Sequence, residues 1–215
     1  MSRNKIYAIV EGQGEANRPV SGSQSAVTVL INKLLIDLNC YTLFPVEKVP
    51  PFRMSYSEFF HSDKLERAIR YFKSYSDCAA VLVLLDMDDE CPKEQASELT
   101  NRLRTMESLP FSVAVVCAKR EYEAWFLASL ETIHRGELYE SEPEEIRNAK
   151  GWLRKKFGYK PTVHQANYTR LIDITIAHDR SRSFRRLYHA FQEIIAATDN
   201  GETIITPTAD LKEQT

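Results

Sequence analysis

Apolar and polar positions follow two different periods along the first 130 residues, and together they outline a repeated order of strand and helix. Short, nearly continuous apolar runs occupy residues 6–10 (IYAIV), 79–85 (AAVLVLL) and 112–117 (SVAVVC). Their brevity and their Val and Leu content predict strands buried on both faces. Residues 41–49 predict one more strand after the first. Longer amphipathic stretches lie between, at 24–38, 61–75 and 92–107. In the first of these Val27, Leu30, Ile31, Leu34, Leu35 and Leu38 recur every three or four residues, which gathers them on one helix face. Pro92 suits a first helical turn, where its missing N–H costs nothing. Strands alternating with helices predict an α/β fold with a mostly parallel sheet flanked by helices.

Beyond residue 117 the strand pattern fades. Helical periodicity at 121–130, 143–157, 166–177 and 184–198 predicts a helical C-terminal extension, and the polar stretch after it reads as a frayed tail. The expected organisation is an α/β core over 1–130, a helical extension packed on it over 131–198 and a polar tail over 199–215.

Composition narrows the function classes. With 43% hydrophobic and 27% charged residues the 215-residue chain is globular rather than disordered or collagen-like. Its 28 basic and 30 acidic residues leave a net charge of -2, so only a local patch can attract nucleic acid. No apolar run approaches the roughly 20 residues that span a bilayer, so no membrane partner is expected. The N-terminal residues lack the apolar core and cleavage site of an export signal. Four cysteines without a CxxC pair argue against zinc-ribbon and thioredoxin chemistry and fit reduced thiols in a cytoplasm.

The candidate chemistry is acidic. In open α/β sheets ligands sit at the carboxyl ends of the strands. Here the first strand ends in Glu11-Gly12-Gln13-Gly14-Glu15, the third in Asp86-Met87-Asp88, and the fourth is followed by Glu121-Tyr122-Glu123. Asp86 and Asp88, two apart in extended backbone, point the same way and can share a cation. Gly12 and Gly14 free the loop for unusual dihedrals that bring Glu15 back towards Glu11. Singly, each pair reads as solvated loop charge or a helix cap. Three pairs at three strand ends point instead to a site for Mg²⁺ or Mn²⁺ with oxygen ligands Glu11, Glu15, Asp86, Asp88, Glu121 and Glu123.

A strand ending in Val10-Glu11-Gly12 and a later one ending in Asp86-x-Asp88 resemble the two motifs of the Toprim domain, shared by topoisomerases, primases and overcoming-lysogenization-defect nucleases. The segments Arg120-Glu121-Tyr122-Glu123-Ala124-Trp125-Phe126, Tyr159-Lys160-Pro161-Thr162-Val163-His164 and the helix at Ser183-Phe184 further resemble a Toprim-like bacterial family linked to mobile-element and phage-defence operons. That resemblance implies a Toprim-like core ending near Leu130, with Lys160 and His164 supplied by the extension. It implies a metal-dependent nuclease, regulated by an ATPase encoded nearby, in which Glu11, Asp86 and Asp88 are catalytic and Lys160 offsets charge. Such chemistry uses two ions about 4 Å apart.

A basic segment complements the acidic one. Residues 150–190 carry ten Lys and Arg against two Asp, a local charge of +8, with Trp152, Phe157, Tyr159 and Tyr168 interleaved. Lys155, Lys156, Arg182, Arg185 and Arg186 are the expected phosphate contacts, joined through the resemblance by His164. Three other readings compete. Asp86 could be the nucleophile of a haloacid-dehalogenase-like phosphatase, which would leave Glu11 idle. Asp86-x-Asp88 could hold the metal of a nucleotide-sugar transferase, though no sugar-site signature accompanies it. The chain could also be a non-catalytic, metal-stabilised module that binds nucleic acid or a partner protein.

Overall fold

The computed structural model of the chain describes residues 3–17, 23–47 and 49–207. In chain order these form β1 (Lys5–Val10), α1 (Gln13–Ala16), α2 (Ala26–Asp37), β2 (Phe44–Pro45), β3 (Phe52–Arg53), α3 (Tyr56–Phe60), α4 (Lys64–Phe72), β4 (Cys78–Asp86), α5 (Pro92–Arg104), β5 (Ser112–Ala118), α6 (Ala124–Ala128), α7 (Leu130–Ile133), α8 (Ala149–Phe157), α9 (Pro161–Leu171), α10 (Ile174–Arg180), α11 (Arg182–Asp199) and β6 (Ile205–Thr206). The six strands make one parallel sheet in the order β2-β1-β4-β5-β6, with β3 also pairing with β1, beyond β2. The α/β architecture read from the sequence is the one found.

The three apolar runs are continuous because helices cover both faces of the sheet. One face, with Ile6, Ala8, Val10, Leu82, Leu84, Ala114 and Val116, packs on α2 and on α6 to α11. The other, with Tyr7, Ile9, Val81, Val83, Leu85, Val113 and Val115, packs on α3, α4 and α5. Buried residues from both sides of position 130 belong to the same cluster, so the C-terminal helices are one layer of the core. Among the described residues no helix is long and apolar enough to cross a membrane.

Several boundaries differ from the sequence reading. Residues 41–49 yield only the two-residue β2, and β3 follows; Pro45, Pro50 and Pro51 withhold ladder donors and keep this edge short. The helix expected at 61–75 is α4, Lys64–Phe72, and a short helix the sequence reading did not assign, α3, precedes it where Ser55 and Glu58 form a capping box. The one expected at 143–157 starts at Ala149, because the Asn148 side chain accepts from Gly151 N at 2.7 Å and caps it there. The helix expected at 166–177 is two: α9 begins at Pro161, and Asp173 caps α10 by accepting from Ile176 N at 3.0 Å. Part of the expected frayed tail is also ordered, since Ile205 and Thr206 pair with Val113 and Ala114 as β6. Two strand residues are too short a signal to read from sequence.

Helices that join neighbouring parallel strands run against them, so α2 and α5 begin at the carboxyl edge of the sheet. α11, which packs on β5 and leads into the parallel strand β6, begins at that edge too.

Candidate metal centre

The register of β1, β4 and β5 aligns Val10 with Leu84, Leu84 with Val116, and Asp86 with Ala118, so the acidic segments after the three strands emerge side by side. Glu11 N donates to Leu84 O at 3.2 Å, which keeps Glu11 level with the end of β4. Past the strands the pairing continues: Met87 N donates to Ala118 O at 3.1 Å and Asp88 N to Arg120 O at 2.9 Å. Asp88 and Arg120 take φ values of 41° and 66°, the left-handed region, so neither loop continues as extended strand. The extended-pair geometry expected for Asp86 and Asp88 is therefore absent. Asp88 is exposed, and only Asp86 stays at the strand end, half-buried.

Each of four carboxylates is fixed through one oxygen. Asp86 Oδ1 accepts from Tyr122 N at 2.8 Å, and Glu121 Oε2 from Lys150 N at 2.8 Å. Glu123, fully buried, accepts at Oε1 from Tyr159 OH at 3.0 Å, and its Oε2 faces Lys150 Nζ at 3.7 Å. Glu15, 5% exposed, accepts at Oε1 from Gln165 Nε2 at 2.5 Å. Gln165 is held in turn by α9, where its carbonyl accepts from Thr169 Oγ1, and that hydroxyl also bonds the Tyr122 hydroxyl.

Several oxygens at this edge lack a hydrogen bond. Glu11 Oε2, Glu15 Oε2, Glu123 Oε2 and the Gln165 side-chain oxygen are buried without a hydrogen bond. Orphaned buried oxygens are costly, and this sheet edge collects several of them. The glycines make room for this arrangement. A Cβ on Gly12 would lie 1.6 Å from Glu15 Oε2, and one on Gly14 would lie 1.4 Å from the Gln165 side-chain oxygen. Neither glycine has positive φ, so the loop needs their lack of bulk and not the unusual dihedrals expected of them.

The electrostatics follow. Burial, with the charges of Asp88 and Glu15 adding to it and backbone donors at Asp86 and Tyr56 offsetting part, pushes Glu11 up to about 7. Burial also pushes Glu123 up to about 7, with Glu15 and Glu121 adding and Lys150 and Tyr159 opposing. Asp86 is raised well above the usual carboxylate range, first by burial and then by Glu15 and Glu123. Glu15 is raised by burial despite its bond from Gln165. Burial pulls Lys150 down, yet Glu123, Asp86, Glu121 and Glu15 outweigh it and leave the ammonium above its ordinary value.

All of these donors are hard oxygens, the set that suits Mg²⁺ or Mn²⁺. As the side chains stand, no three or more His, Cys, Asp or Glu among the described residues form a ready ligand group. Binding an ion thus calls for a rotation of one or more carboxylates towards a common point.

The basic residues expected to join the site are arranged differently. Lys160 is exposed at the N-cap of α9, its backbone N donating to His164 Nδ1 at 2.9 Å. Among the described residues it pairs with none of the carboxylates. Lys155 is exposed, and Lys156 pairs with Glu137 over the rings of Trp152 and Phe157. Arg185 caps the end of α10, donating to His178 O and Asp179 O at 3.1 Å each. Arg182 and Arg186 are exposed in the first turns of α11.

Lys150, Gln165, Tyr122 and Tyr159 are the site residues that the sequence reading did not assign. Lys150 falls in a first turn only because the structure starts α8 at Ala149 rather than at 143. A lysine in the first turn of a helix opposes the macrodipole, which favours anions there, and such a placement implies compensating carboxylates from elsewhere. Gln165 had no signal, because a buried glutamine on an amphipathic helix looks like any polar position.

No curated protein and no solved structure matches the chain. A family model described as a domain of unknown function, DUF4276, matches residues 10–192, a span that runs from the end of β1 into α11 and takes in every residue of the acidic site. The chain belongs to the DUF4276 family.

Proposed function

We propose that the chain is a Mg²⁺- or Mn²⁺-dependent hydrolase of phosphodiesters in nucleic acid. The observation that carries this reading is the pair of buried oxygens without a hydrogen bond on Glu11 and Glu15 beside Asp86, at the carboxyl end of a parallel sheet. Glu11, Glu15 and Asp86 would hold the cation, with Asp88 close enough for its charge to reach Glu11. A divalent ion there would polarise a phosphoryl oxygen and make bound water a better nucleophile. The chain's own residues orient the ligands: Gln165 fixes Glu15, Tyr122 N fixes Asp86, and Tyr159 with Lys150 fixes Glu123.

Arg182 and Arg186 begin a helix that starts at the same edge of the sheet, which suits a phosphate backbone approaching the acidic site. Lys155 and Lys160 are further exposed cations for that backbone, with His164 beside Lys160. The ATPase partner and the antiphage setting rest on the Toprim resemblance alone. A cytoplasmic setting is supported by four free cysteines, three of them buried.

The test is cleavage of DNA and RNA by the purified chain, with Mg²⁺, Mn²⁺ or chelator, beside a small phosphate ester. Metal-dependent cleavage that disappears in Glu11→Gln and Asp86→Asn is the expected result. Phosphate-ester turnover lost in Asp86→Asn but kept in Glu11→Gln would favour the phosphatase. Thermal stabilisation by metal without turnover of any substrate would favour the binding module.

A further inference from the structure

The acidic site divides into two unequal halves. On one side Glu123 Oε2 faces Lys150 Nζ at 3.7 Å, and Glu121 Oε2 accepts from the backbone N of the same lysine. Glu123's other oxygen is taken by Tyr159 OH. On the other side lie Glu11 and Glu15, each with a buried oxygen that no donor reaches. Asp86 stands between, its nearest charges being Glu15, Glu123, Lys150 and Glu11. The other cation near the open half is Arg53, which is exposed and spends its Nε on the Glu11 backbone carbonyl at 3.3 Å.

One half therefore holds an ammonium 3.7 Å from a carboxylate, whereas Glu11 and Glu15 form no ion pair among the described residues and Glu15 feels Lys150 and Arg53 only at longer range. Lys150 is not a stray surface charge. Asn148 caps α8 so that the lysine falls in the first helical turn, where the helix itself disfavours a cation and the carboxylates hold it. Its side chain is only 34% exposed. Like charges crowded in a low-dielectric site need counter-charge, and an ammonium supplies one unit of it permanently.

We propose that the site takes a single divalent cation, on Glu11, Glu15 and Asp86, and that the Lys150 ammonium, seated on Glu123, stands in place of the second ion that the sequence led us to expect. The inference rests on the metal-site reading above, and it makes Lys150, rather than Lys160, the lysine of the site. Glu123 is then the lysine's seat and not a metal ligand.

The experiment is a Mn²⁺ titration of the full chain, followed by calorimetry and by the Mn²⁺ electron paramagnetic resonance spectrum. One ion per chain with the spectrum of an isolated Mn²⁺ is expected. Two ions with a spin-coupled spectrum would overturn the inference and leave the metal reading standing, whereas no binding would overturn both. In Lys150→Met a second Mn²⁺ should enter and the coupled spectrum should appear; one ion bound with unchanged affinity in that variant would count against the proposal. Should Lys150→Met fail to fold, two milder variants decide. Glu15→Gln should weaken Mn²⁺ binding by about tenfold or more, and Glu123→Gln by less than about threefold. The reverse order would overturn the assignment.

Discussion

Two ionic arrangements, one among the helices on one face of the sheet and one at its carboxyl edge, make opposite use of the same chemistry. On one side Arg102 of α5 meets Glu66 of α4 in a two-pronged pair, Nε to Oε1 and Nη2 to Oε2 at 2.9 Å each. Its remaining donors reach Phe59 O at 2.6 Å and Ser62 O at 2.8 Å, so the guanidinium staples α3, α4 and α5 together. At the carboxyl edge, Glu15, Asp86, Glu121 and Glu123 all feel one lysine, which pairs with Glu123 at 3.7 Å, and Glu11, Glu15 and Glu123 each keep a buried oxygen without a hydrogen bond. A satisfied pair holds structure. An under-satisfied cluster is a cost that persists where a ligand repays it.

The sharpest way to break this contrast is to compare activity with stability. Under the proposed function, Glu11→Gln and Asp86→Asn should each lower the cleavage rate by about a thousandfold, the scale of removing a principal electrostatic interaction from a transition state. Both variants should fold as well as the parent without metal, because removing one like charge relieves repulsion. Arg102→Ala should do the converse. It leaves Glu66 half-buried and unpaired, and a loss of about 3 kcal/mol of stability is expected. Chemical denaturation and a metal-dependent cleavage assay on the three variants check both halves. An Arg102→Ala protein as stable as the parent, or a Glu11→Gln protein of full activity, would erase the distinction.

Metal and pH sharpen the contrast next. A cation that binds only the folded state at a hundredfold excess over its Kd should add about 2.7 kcal/mol, seen as a rise in Tm that Glu15→Gln loses and Arg102→Ala keeps. Without metal the sign of the pH effect follows from protons. Glu11 and Glu123, pushed up to about 7, hold protons in the folded chain that the unfolded chain has released above about 4.5. Their contribution is therefore fully present below the unfolded value and is lost as pH rises through about 7. Cation-free protein should lose stability between pH 5 and pH 8, and saturating Mn²⁺ should oppose the loss increasingly as pH rises, since it binds the ionised carboxylates. Melting curves at both pH values, with metal and with chelator, read this directly. A metal-free Tm that rises over that interval would contradict it.

The acidic half of the site was legible because a parallel sheet converts sequence position into spatial position. Once 6–10, 79–85 and 112–117 are neighbouring strands, Glu11, Asp86 and the 121–123 pair must emerge together. What failed was finer than topology. Asp88 was read as extended, but it takes a φ of 41°, a left-handed conformation that Asp tolerates, while its N–H bonds Arg120 O. Gln165 and Tyr159 reach the site from a helix and a loop far along the chain, and nothing local marks a polar side chain that acts through tertiary packing. The edge strands β2, β3 and β6 are two residues each, too short for any period to register.

The smallest expected effect repeats the comparison among the arginines of α11. Arg185 resembles Arg102 in being spent: it caps the carbonyls of His178 and Asp179 at the end of α10. Arg182 and Arg186 are exposed and form no ion pair among the described residues. The helix terminus itself is also taken, because Glu144 Oε1 accepts from Ser183 N at 2.8 Å and from the hydroxyls of Ser181 and Ser183 at 2.6 Å each. Any phosphate binding at this end therefore depends on the two free guanidinium groups and not on the helix N-terminus. Removing one cation that neutralises a phosphate should lower the salt dependence of nucleic-acid binding by about one unit of slope. Arg182→Ala with Arg186→Ala should flatten the slope by about two units, while Arg185→Ala should leave it unchanged and lower stability by about 1 kcal/mol through the missing cap. Binding measured across a salt series for the parent, the double variant and Arg185→Ala separates the two roles. Equal flattening by Arg185→Ala would show that this arginine leaves its carbonyls for phosphate, and the line between spent and unspent charge would then have to be drawn elsewhere.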